Sequence, residues 1–399
     1  MGVVLFFSSA VRAQTTLYWD INGNTAGAGG ASPSATWSTS GSDKNWSTSS
    51  AGTSGGNKKW TSGSFAVFSA GTDATGAYTV TVSGKQNTAG ITVGEGSPVF
   101  SGGTISLTGT TPTVSIAASS IATFNSLIAS TTGLTKTGTG TMILGNTANA
   151  YTGATNINAG TLQLGVNNSI PNGSAVSVAS GATFDVNSKT ETIGSLAGAG
   201  NVTLAAGALT AGGANTSTTF SGVLAGTGAS SFTKTGTGTL TLSGANTFAS
   251  TVLVSAGTVL AAAQDVFNSA NQITVSTGSI LDLANFSQTI ASLTSNGTLA
   301  LGASSLASLT LNSGASTLAG SLTGAGTIIV GPGASLTLGA NFNAPNVNIV
   351  LNGGSLFLNG TTSTLGTLNI TGNSILDFGP STNSILTVQN VTLGTPRLA

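Results

Sequence analysis

The sequence predicts an all-β protein, a right-handed parallel β-helix with an atypical Trp-rich cap at its N-terminus. Three observations predict this fold: short segments of alternating apolar and polar residues, their recurrence every 17 to 21 residues after Gly257, and only 9 basic and 9 acidic residues among 399. Alternation with period two is typical of strands that bury one face. One such strand cannot bury that face alone, so we expect stacked copies to share a continuous core.

The composition excludes several classes of protein. The chain contains neither histidine nor cysteine, so it cannot hold a Ser-His-Asp triad, a Cys/His zinc site, a thiol nucleophile or a disulfide. A net charge of zero argues against nucleic acid as a partner, because phosphate binding needs a basic surface. Scarce charge and abundant β-branched residues argue against coiled coils and against disorder.

The N-terminal residues 1–13 have the pattern of a secretory signal peptide. Val3–Phe7 is apolar, and the small residues Val11 and Ala13 precede Gln14. A basic n-region is missing, and the alternative is an apolar N-terminus without a targeting role. No later stretch holds 18 consecutive apolar residues, so we expect no other membrane-spanning segment. The protein is therefore predicted to be secreted or displayed on the outer surface of a bacterial cell.

Residues 14–100 are expected to form the cap and the first coils. All four tryptophans lie within the first 60 residues: Trp19, Trp37, Trp46 and Trp60. Terminal repeats of a solenoid differ from inner ones because they cover an otherwise open core. The alternative interpretation is a carbohydrate-binding module that stacks sugars on exposed indole rings.

Residues 101–399 are expected to form the β-helix, with coils of about 20 residues. Glycine at the strand ends supplies corners that need positive φ. The side chains expected to stack in the core include Leu162, Leu164, Leu281 and Leu283, and the expected corners include Gly160, Gly257 and Gly278.

A longer motif occurs twice, at residues 133–164 and 231–260. Each copy contains Lys-Thr-Gly-Thr-Gly-Thr, a short apolar strand, an aromatic residue and a final Gly-Thr strand. The pattern resembles the autotransporter-associated β-strand repeat, although the second copy lacks the glycine expected after Phe248. This resemblance implies a passenger built as a parallel β-helix, with adhesion or surface display as its function.

No catalytic, cofactor-binding or metal-binding residue is predicted. Asp185, Asp282 and Asp377 occupy the same position of the repeat, 97 and 95 residues apart. That separation is too long for a shared glycosidase or calcium site, so we expect solvated outward positions. Lys189 and Glu191 complete a mid-chain charge group with Asp185, and this group is expected to form a turn. The G-x-S-x-G match at residues 52–56 is not expected to be a nucleophile elbow without any histidine.

Two threonine-rich runs, residues 135–141 and 233–239, raise the hypothesis of ice binding. Ranks of Thr-x-Thr on a flat solenoid face order water when consecutive coils carry them at the same position. These two runs lie some five coils apart, which argues against an ice-binding plane. Threonine is also a good β-former on any outward face.

The sequence therefore predicts a non-enzymatic, exported surface protein with an adhesive or display role. Its expected partners are extracellular glycans or other surface proteins, and we expect no cofactor. Two alternatives belong to other classes. One is a β-helical polysaccharide lyase that uses Asp185 and Glu191, and the other is a glycan-binding module centred on the Trp-rich N-terminus.

Overall fold

The computed structural model describes residues 14–340, 342–358, 360, 362–380 and 384–394, so the segment predicted to be a signal peptide lies outside the described residues. Every regular element in these ranges is a β-strand. No described segment forms a helix of the length and apolarity needed to cross a bilayer. The chain divides into two compact units, Met1–Met142 and Ile143–Ala399.

The strands of the first unit are short, and β14 contains the boundary between the units. They are β1 (Thr16–Trp19), β2 (Ala35–Trp37), β3 (Trp46–Ser47), β4 (Phe65–Phe68), β5 (Ala77–Val82), β6 (Lys85–Thr88), β7 (Gly90–Val93), β8 (Ser97–Ser101), β9 (Thr104–Leu107), β10 (Thr113–Ile116), β11 (Ile121–Phe124), β12 (Leu127–Ser130), β13 (Leu134–Thr137) and β14 (Thr141–Leu144).

The first unit is a parallel β-solenoid with three sheets. One sheet has the order β3-β1-β4-β7-β10-β13, the second contains β2-β5-β8-β11, and the third contains β6-β9-β12. The pairing of β1 with β3 is antiparallel, and the others are parallel. Consecutive strands from β7 onward enter the three sheets in turn, which is the path of a coil.

Aromatic side chains fill the core of the first unit. Trp19, Trp37, Trp46 and Trp60 are at most 2% exposed. Trp46 contacts the rings of Trp19, Trp37, Trp60 and Phe68, with centroids 4.6 to 5.5 Å apart. Edge-to-face and tilted pairs at these distances stabilise a core beyond simple burial.

The second unit contains the remaining strands. They are β15 (Ala150–Tyr151), β16 (Thr155–Ile157), β17 (Thr161–Leu164), β18 (Ala175–Val178), β19 (Thr183–Asp185), β20 (Thr190–Ile193), β21 (Ser195–Gly198), β22 (Asn201–Thr203), β23 (Ala208–Ala211), β24 (Thr218–Phe220), β25 (Val223–Ala225), β26 (Ser231–Lys234), β27 (Thr239–Leu242), β28 (Thr251–Val254), β29 (Thr258–Ala261), β30 (Gln272–Val275), β31 (Ile280–Asp282), β32 (Gln288–Ile290), β33 (Ser292–Ser295), β34 (Thr298–Ala300), β35 (Ser308–Leu311), β36 (Gly314–Leu318), β37 (Ser321–Thr323), β38 (Gly326–Val330), β39 (Ala334–Leu338), β40 (Phe342–Ala344), β41 (Val347–Asn352), β42 (Ser355–Phe357), β43 (Thr362–Thr371), β44 (Ile375–Asp377) and β45 (Ile385–Leu393).

The described strands of the second unit other than β15 form four parallel sheets. Sheet a contains β16-β18-β21-β24-β27-β29-β31-β34-β37, and sheet b contains β17-β19-β22-β25. Sheet c contains β20-β23-β26-β28-β30-β33-β36-β39-β42-β44, and sheet d contains β32-β35-β38-β41-β43-β40 with β45 beside β43. The strands β20, β21 and β22 enter sheets c, a and b, and the next three strands repeat that order. The prediction of a parallel β-solenoid is therefore confirmed in each unit.

The leucines and glycines singled out in the sequence have the expected roles. Leu162, Leu164, Leu281 and Leu283 are fully buried. Leu281 stands in register between Val259 and Leu299 of the neighbouring strands, so the core is a continuous apolar stack. The corner glycines Gly160, Gly257 and Gly278 have φ values of 65°, 68° and 80°, which side chains with a Cβ rarely adopt.

Replacement of Leu281 by Asp tests the stacked core. The substitution removes a buried side chain and places an unpaired carboxylate between two apolar neighbours, so we expect a loss of about 3 kcal/mol or more in the free energy of unfolding. Urea-induced unfolding followed by circular dichroism measures this loss. The control Gln272→Asp introduces the same charge at an exposed position of the preceding strand, β30, and is expected to change little. Equal unfolding midpoints for the two variants would contradict the stacked core.

Candidate functional site

The three aspartates of the repeat lie in three different sheets. Asp185 belongs to sheet b, Asp282 to sheet a and Asp377 to sheet c. Each accepts a hydrogen bond from the backbone N–H two residues later, at 2.7 to 2.9 Å, so each closes its strand with a local turn. The sequence repeat of 97 residues is therefore not a whole number of turns, and corresponding residues of the two copies face different sides. As expected, the three carboxylates lie at partly or fully exposed positions.

The expectation that Glu191 lies in a turn is wrong. Glu191 is in strand β20, alternates with outward Thr190 and Thr192, and is fully buried. Its Oε2 accepts hydrogen bonds from the backbone N–H groups of Ser169 and Ile170 at 2.9 and 3.3 Å. Its Oε1 accepts the N–H of Thr192 at 3.1 Å. The carboxyl group thus holds a loop of the preceding coil from inside the solenoid.

Burial dominates the electrostatics of Glu191. Removal from water raises the pKa of this carboxyl to about 7, although the hydrogen bonds from Ile170, Ser169 and Thr192 act in the opposite direction. Asp185, by contrast, bonds Gln163 and Thr203 on the neighbouring strands of sheet b. The inward Glu191 and the outward Asp185 therefore do not converge as a lyase pair would require.

A chain of buried hydroxyl groups lies in the same coils as Glu191. Tyr151 Oη lies 3.0 Å from Thr155 Oγ1, which is 2.8 Å from Ser174 Oγ. Ser174 Oγ in turn donates to the carbonyl oxygen of Gly153 at 3.0 Å. Asn149 completes this interior polar group by donating to the carbonyl oxygen of Ser169 at 2.9 Å. Burial raises the pKa of Tyr151 well above its ordinary value, so its hydroxyl stays protonated.

A neutral version of the same arrangement occurs 97 residues later in the chain. Phe248 replaces Tyr151, and Gln288 replaces Glu191. Gln288 Oε1 accepts the N–H of Phe267 at 3.4 Å, and its Nε2 donates to the carbonyl oxygen of Ala263 at 2.7 Å. Asn246, which corresponds to Asn149, donates to Val266 O at 2.8 Å. In both places an inward side chain holds the loop of the preceding coil. That side chain is ionisable in the first arrangement, as Glu191, and neutral in the second, as Gln288.

Lys136 and Lys234 are buried in the solenoid interior, each inside a repeat motif. Lys234 Nζ donates to the carbonyl oxygens of Thr235, Gly236 and Ala256 at 2.6, 2.9 and 3.3 Å. Lys136 Nζ donates likewise to Thr137 O and Gly138 O at 2.9 and 2.8 Å. Burial lowers the pKa of Lys136 to about 8 and also lowers that of Lys234. The two amines donate hydrogen bonds to backbone carbonyl groups that point inward at corners, where no neighbouring strand supplies an N–H donor.

The threonine-rich runs are not continuous strands. The first bends at residues 138–140, between β13 and β14, and the second bends at residues 235–238, between β26 and β27.

A different threonine array is present, which was not predicted from the sequence. On the outward side of sheet c, threonines from successive coils stand in register in one column. We call this column the threonine ladder: Thr192, Thr210, Thr233, Thr274, Thr294, Thr317 and Thr337, interrupted by Leu253.

The four tryptophans offer no face for sugar stacking, since all are buried among other aromatic rings. A sugar needs an open ring face, so the glycan-binding alternative based on exposed indoles is wrong. Among the described residues, no three acidic side chains come together in a way that could hold a metal ion.

The geometry defines a parallel β-solenoid whose repeated motifs hold corners from inside. Residues 134–164 and 232–261 match the passenger-associated-transport-repeat. This match confirms the resemblance to an autotransporter-associated repeat.

A relative of the chain points in the same direction. The chain is 33% identical over 180 residues to the adhesin BmaC autotransporter of Brucella suis biovar 1 (strain 1330). The alignment covers 40% of this chain and 5% of the relative, so the chain spans a small part of that protein's length. No solved structure gives a significant match.

The raised pKa of Glu191 predicts that stability falls as the pH rises. The unfolded chain releases this proton near pH 4.5, whereas the folded chain keeps it until about pH 7. The protonated Glu191 therefore contributes its full stabilisation below pH 4.5, and this contribution is lost as the pH rises through 7. The free energy of unfolding falls by about 3 kcal/mol at most. We expect the thermal midpoint to fall between pH 5 and pH 8, and Glu191→Gln to remove most of this fall. The reciprocal variant Gln288→Glu should steepen it. An unchanged pH dependence in Glu191→Gln would show that this carboxyl does not titrate as proposed.

Substitution of Lys234 tests the interior amine. Lys234→Met keeps the apolar length of the side chain but leaves three carbonyl groups without a donor, so we expect a loss of about 1–3 kcal/mol. The unfolding midpoint in urea measures it. Lys189→Met serves as the control because Lys189 is partly exposed, and its substitution should have little effect. If both variants unfold together with the wild type, Lys234 does not stabilise its corner.

Proposed function

We propose that this chain is an exported, non-enzymatic β-helical passenger with an adhesive or surface-display role. The observation that carries the proposal is the coincidence of the two passenger repeats with strands of a parallel solenoid, β13–β17 and β26–β29. A passenger repeat implies secretion or display on the outer surface of a bacterium. The relative named as an adhesin supports the adhesive role.

The outward faces support adhesion through many weak contacts. Outward strand positions are mostly Ser, Thr, Asn and Ala, and charge is scarce. Such a surface forms hydrogen bonds with glycans or with polar protein surfaces, either directly or through water. Long-range electrostatic attraction contributes little because few charges are present. We therefore propose extracellular glycans or other surface proteins as partners.

The interior ionisable groups support a non-enzymatic role. Glu191, Lys136 and Lys234 are buried, and each already holds backbone groups of its own chain. Their bonds stabilise loops and corners. We further propose that residues 14–100 act as the cap of the solenoid, with the Trp46-centred aromatic cluster closing its core.

An adhesion assay tests the proposed role. Fluorescent beads coated with the purified chain are expected to be retained on cell monolayers in greater number than beads coated with albumin. Periodate treatment of the monolayer removes glycan partners, and trypsin removes protein partners, so the two treatments identify the class of target. Equal retention of the two kinds of bead would contradict an adhesive function.

The enzymatic alternative is tested with the same preparation. Release of unsaturated sugars from polygalacturonate, lost in Asp185→Asn or in Glu191→Gln, would overturn the non-enzymatic part of the proposal.

A further inference from the structure

The threonine ladder is a regular array on the outward face of sheet c. It spans eight strands that are neighbours in sheet c, from β20 to β39, and seven of the eight positions are threonine. A second outward column runs beside it, two residues earlier on each strand. It consists of Thr190, Ala208, Ser231, Thr251, Gln272, Ser292, Ala315 and Ser335. Neither column contains a charged residue over these strands.

The spacing of the ladder follows from strand pairing. Neighbouring strands lie about 4.8 Å apart, and positions two residues apart on one strand are separated by about 6.6 Å. Threonine is stiff at χ1, so we expect in-register threonines to present their hydroxyl and methyl groups in the same orientation. The ladder is therefore a single repeating file of hydroxyl and methyl groups, flanked by a column in which Ala208, Gln272 and Ala315 break the pattern.

The ladder hydroxyls are available to solvent. All members are partly or fully exposed, with Thr274 and Thr294 the most open. Hydroxyl oxygens about 4.8 Å apart are too distant for a direct hydrogen bond. A water molecule bridging two of them with bonds of about 2.8 Å subtends an angle of about 120°, close to tetrahedral. The ladder thus favours a file of water molecules with ice-like angles, while the methyl groups fill the spaces between them.

Strand propensity does not account for this array. The corresponding outward column of sheet a reads Asn156, Ser177, Ala197, Thr219, Thr241, Leu260, Asp282, Ala300 and Thr323. That column mixes apolar, charged and polar residues, as expected where only β-propensity matters. The near-continuous threonine column is a property of sheet c.

We propose that the threonine ladder on the outward face of sheet c is an ice-binding surface. It acts as a single column, since β20 is the one ladder strand with threonine at both outward positions, Thr190 and Thr192. Its partner is the ordered water lattice at an ice surface, held by the threonine hydroxyls and by the surrounding methyl groups. A flat polysaccharide fits less well, because none of the ladder strands β20 to β39 presents an outward aromatic ring on which a sugar could stack. This inference goes beyond the proposed function and is independent of it, since the purified chain would bind ice whether or not a cell displays it.

Partition into ice tests the proposal. The labelled full chain is held in dilute solution while an ice hemisphere grows slowly, and fluorescence is measured in the ice and in the liquid. We expect the wild-type chain to be enriched in the ice and free dye to remain in the liquid. Thr294→Lys places a charged, strongly hydrated side chain in the middle of the ladder and is expected to abolish the enrichment.

Two further variants make the test specific. Thr241→Lys makes the same change on sheet a and should leave the enrichment unchanged, whereas Leu253→Thr completes the ladder and should increase it. Circular dichroism and the thermal midpoint confirm that each variant is folded. Exclusion of the folded wild-type chain from ice would overturn the proposal, as would equal enrichment of Thr294→Lys. Binding to powdered cellulose or chitin without binding to ice would also overturn it and assign the face to a polysaccharide.

Discussion

The parallel pairing of strands that lie, from β7 onward, about 20 residues apart is the constraint on which the structure depends. Parallel pairing satisfies the backbone N–H and C=O groups, and the same register stacks inward side chains in columns. A shift by one residue would exchange the buried and exposed faces of a strand. The columns that bury Leu281 and the columns that present threonine are thus two results of one register.

The corners of the solenoid need hydrogen-bond partners that strand pairing does not provide. Backbone groups at a corner have no strand partner, and burying them unsatisfied is costly. The chain meets this need with side chains that point inward: Glu191 and Gln288 for N–H groups, and Lys136 and Lys234 for carbonyl groups. Polar residues in the core therefore serve stability here, and their altered pKa values follow from burial.

Because the inward polar side chains serve stability, the outward faces are the surface available for binding a partner. Glu191, Lys136 and Lys234 are occupied in the interior, while the outward faces are built mostly from small, uncharged side chains. A surface of this kind recognises a partner by repetition and by hydrogen bonding. Recognition of this kind is compatible with the adhesive role proposed above.

The sequence by itself determined the solenoid, the leucine stack and the glycine corners, because alternation and positive φ are local properties of a few residues. It also determined the family of the two repeats. Only the tertiary structure showed that the side chains of Glu191 and Lys234 face inward. The alternation of apolar and polar residues did not reveal that a charged side chain is buried, and Glu191 was expected to lie in a turn. The threonine ladder likewise depends on register: successive positions of its column, Leu253 included, are 18 to 23 residues apart, and this irregular spacing becomes one column only when corners of different lengths are closed. Three-dimensional packing decides which residues form a corner and which form a strand, so the threonine column on sheet c was beyond the reach of sequence patterns.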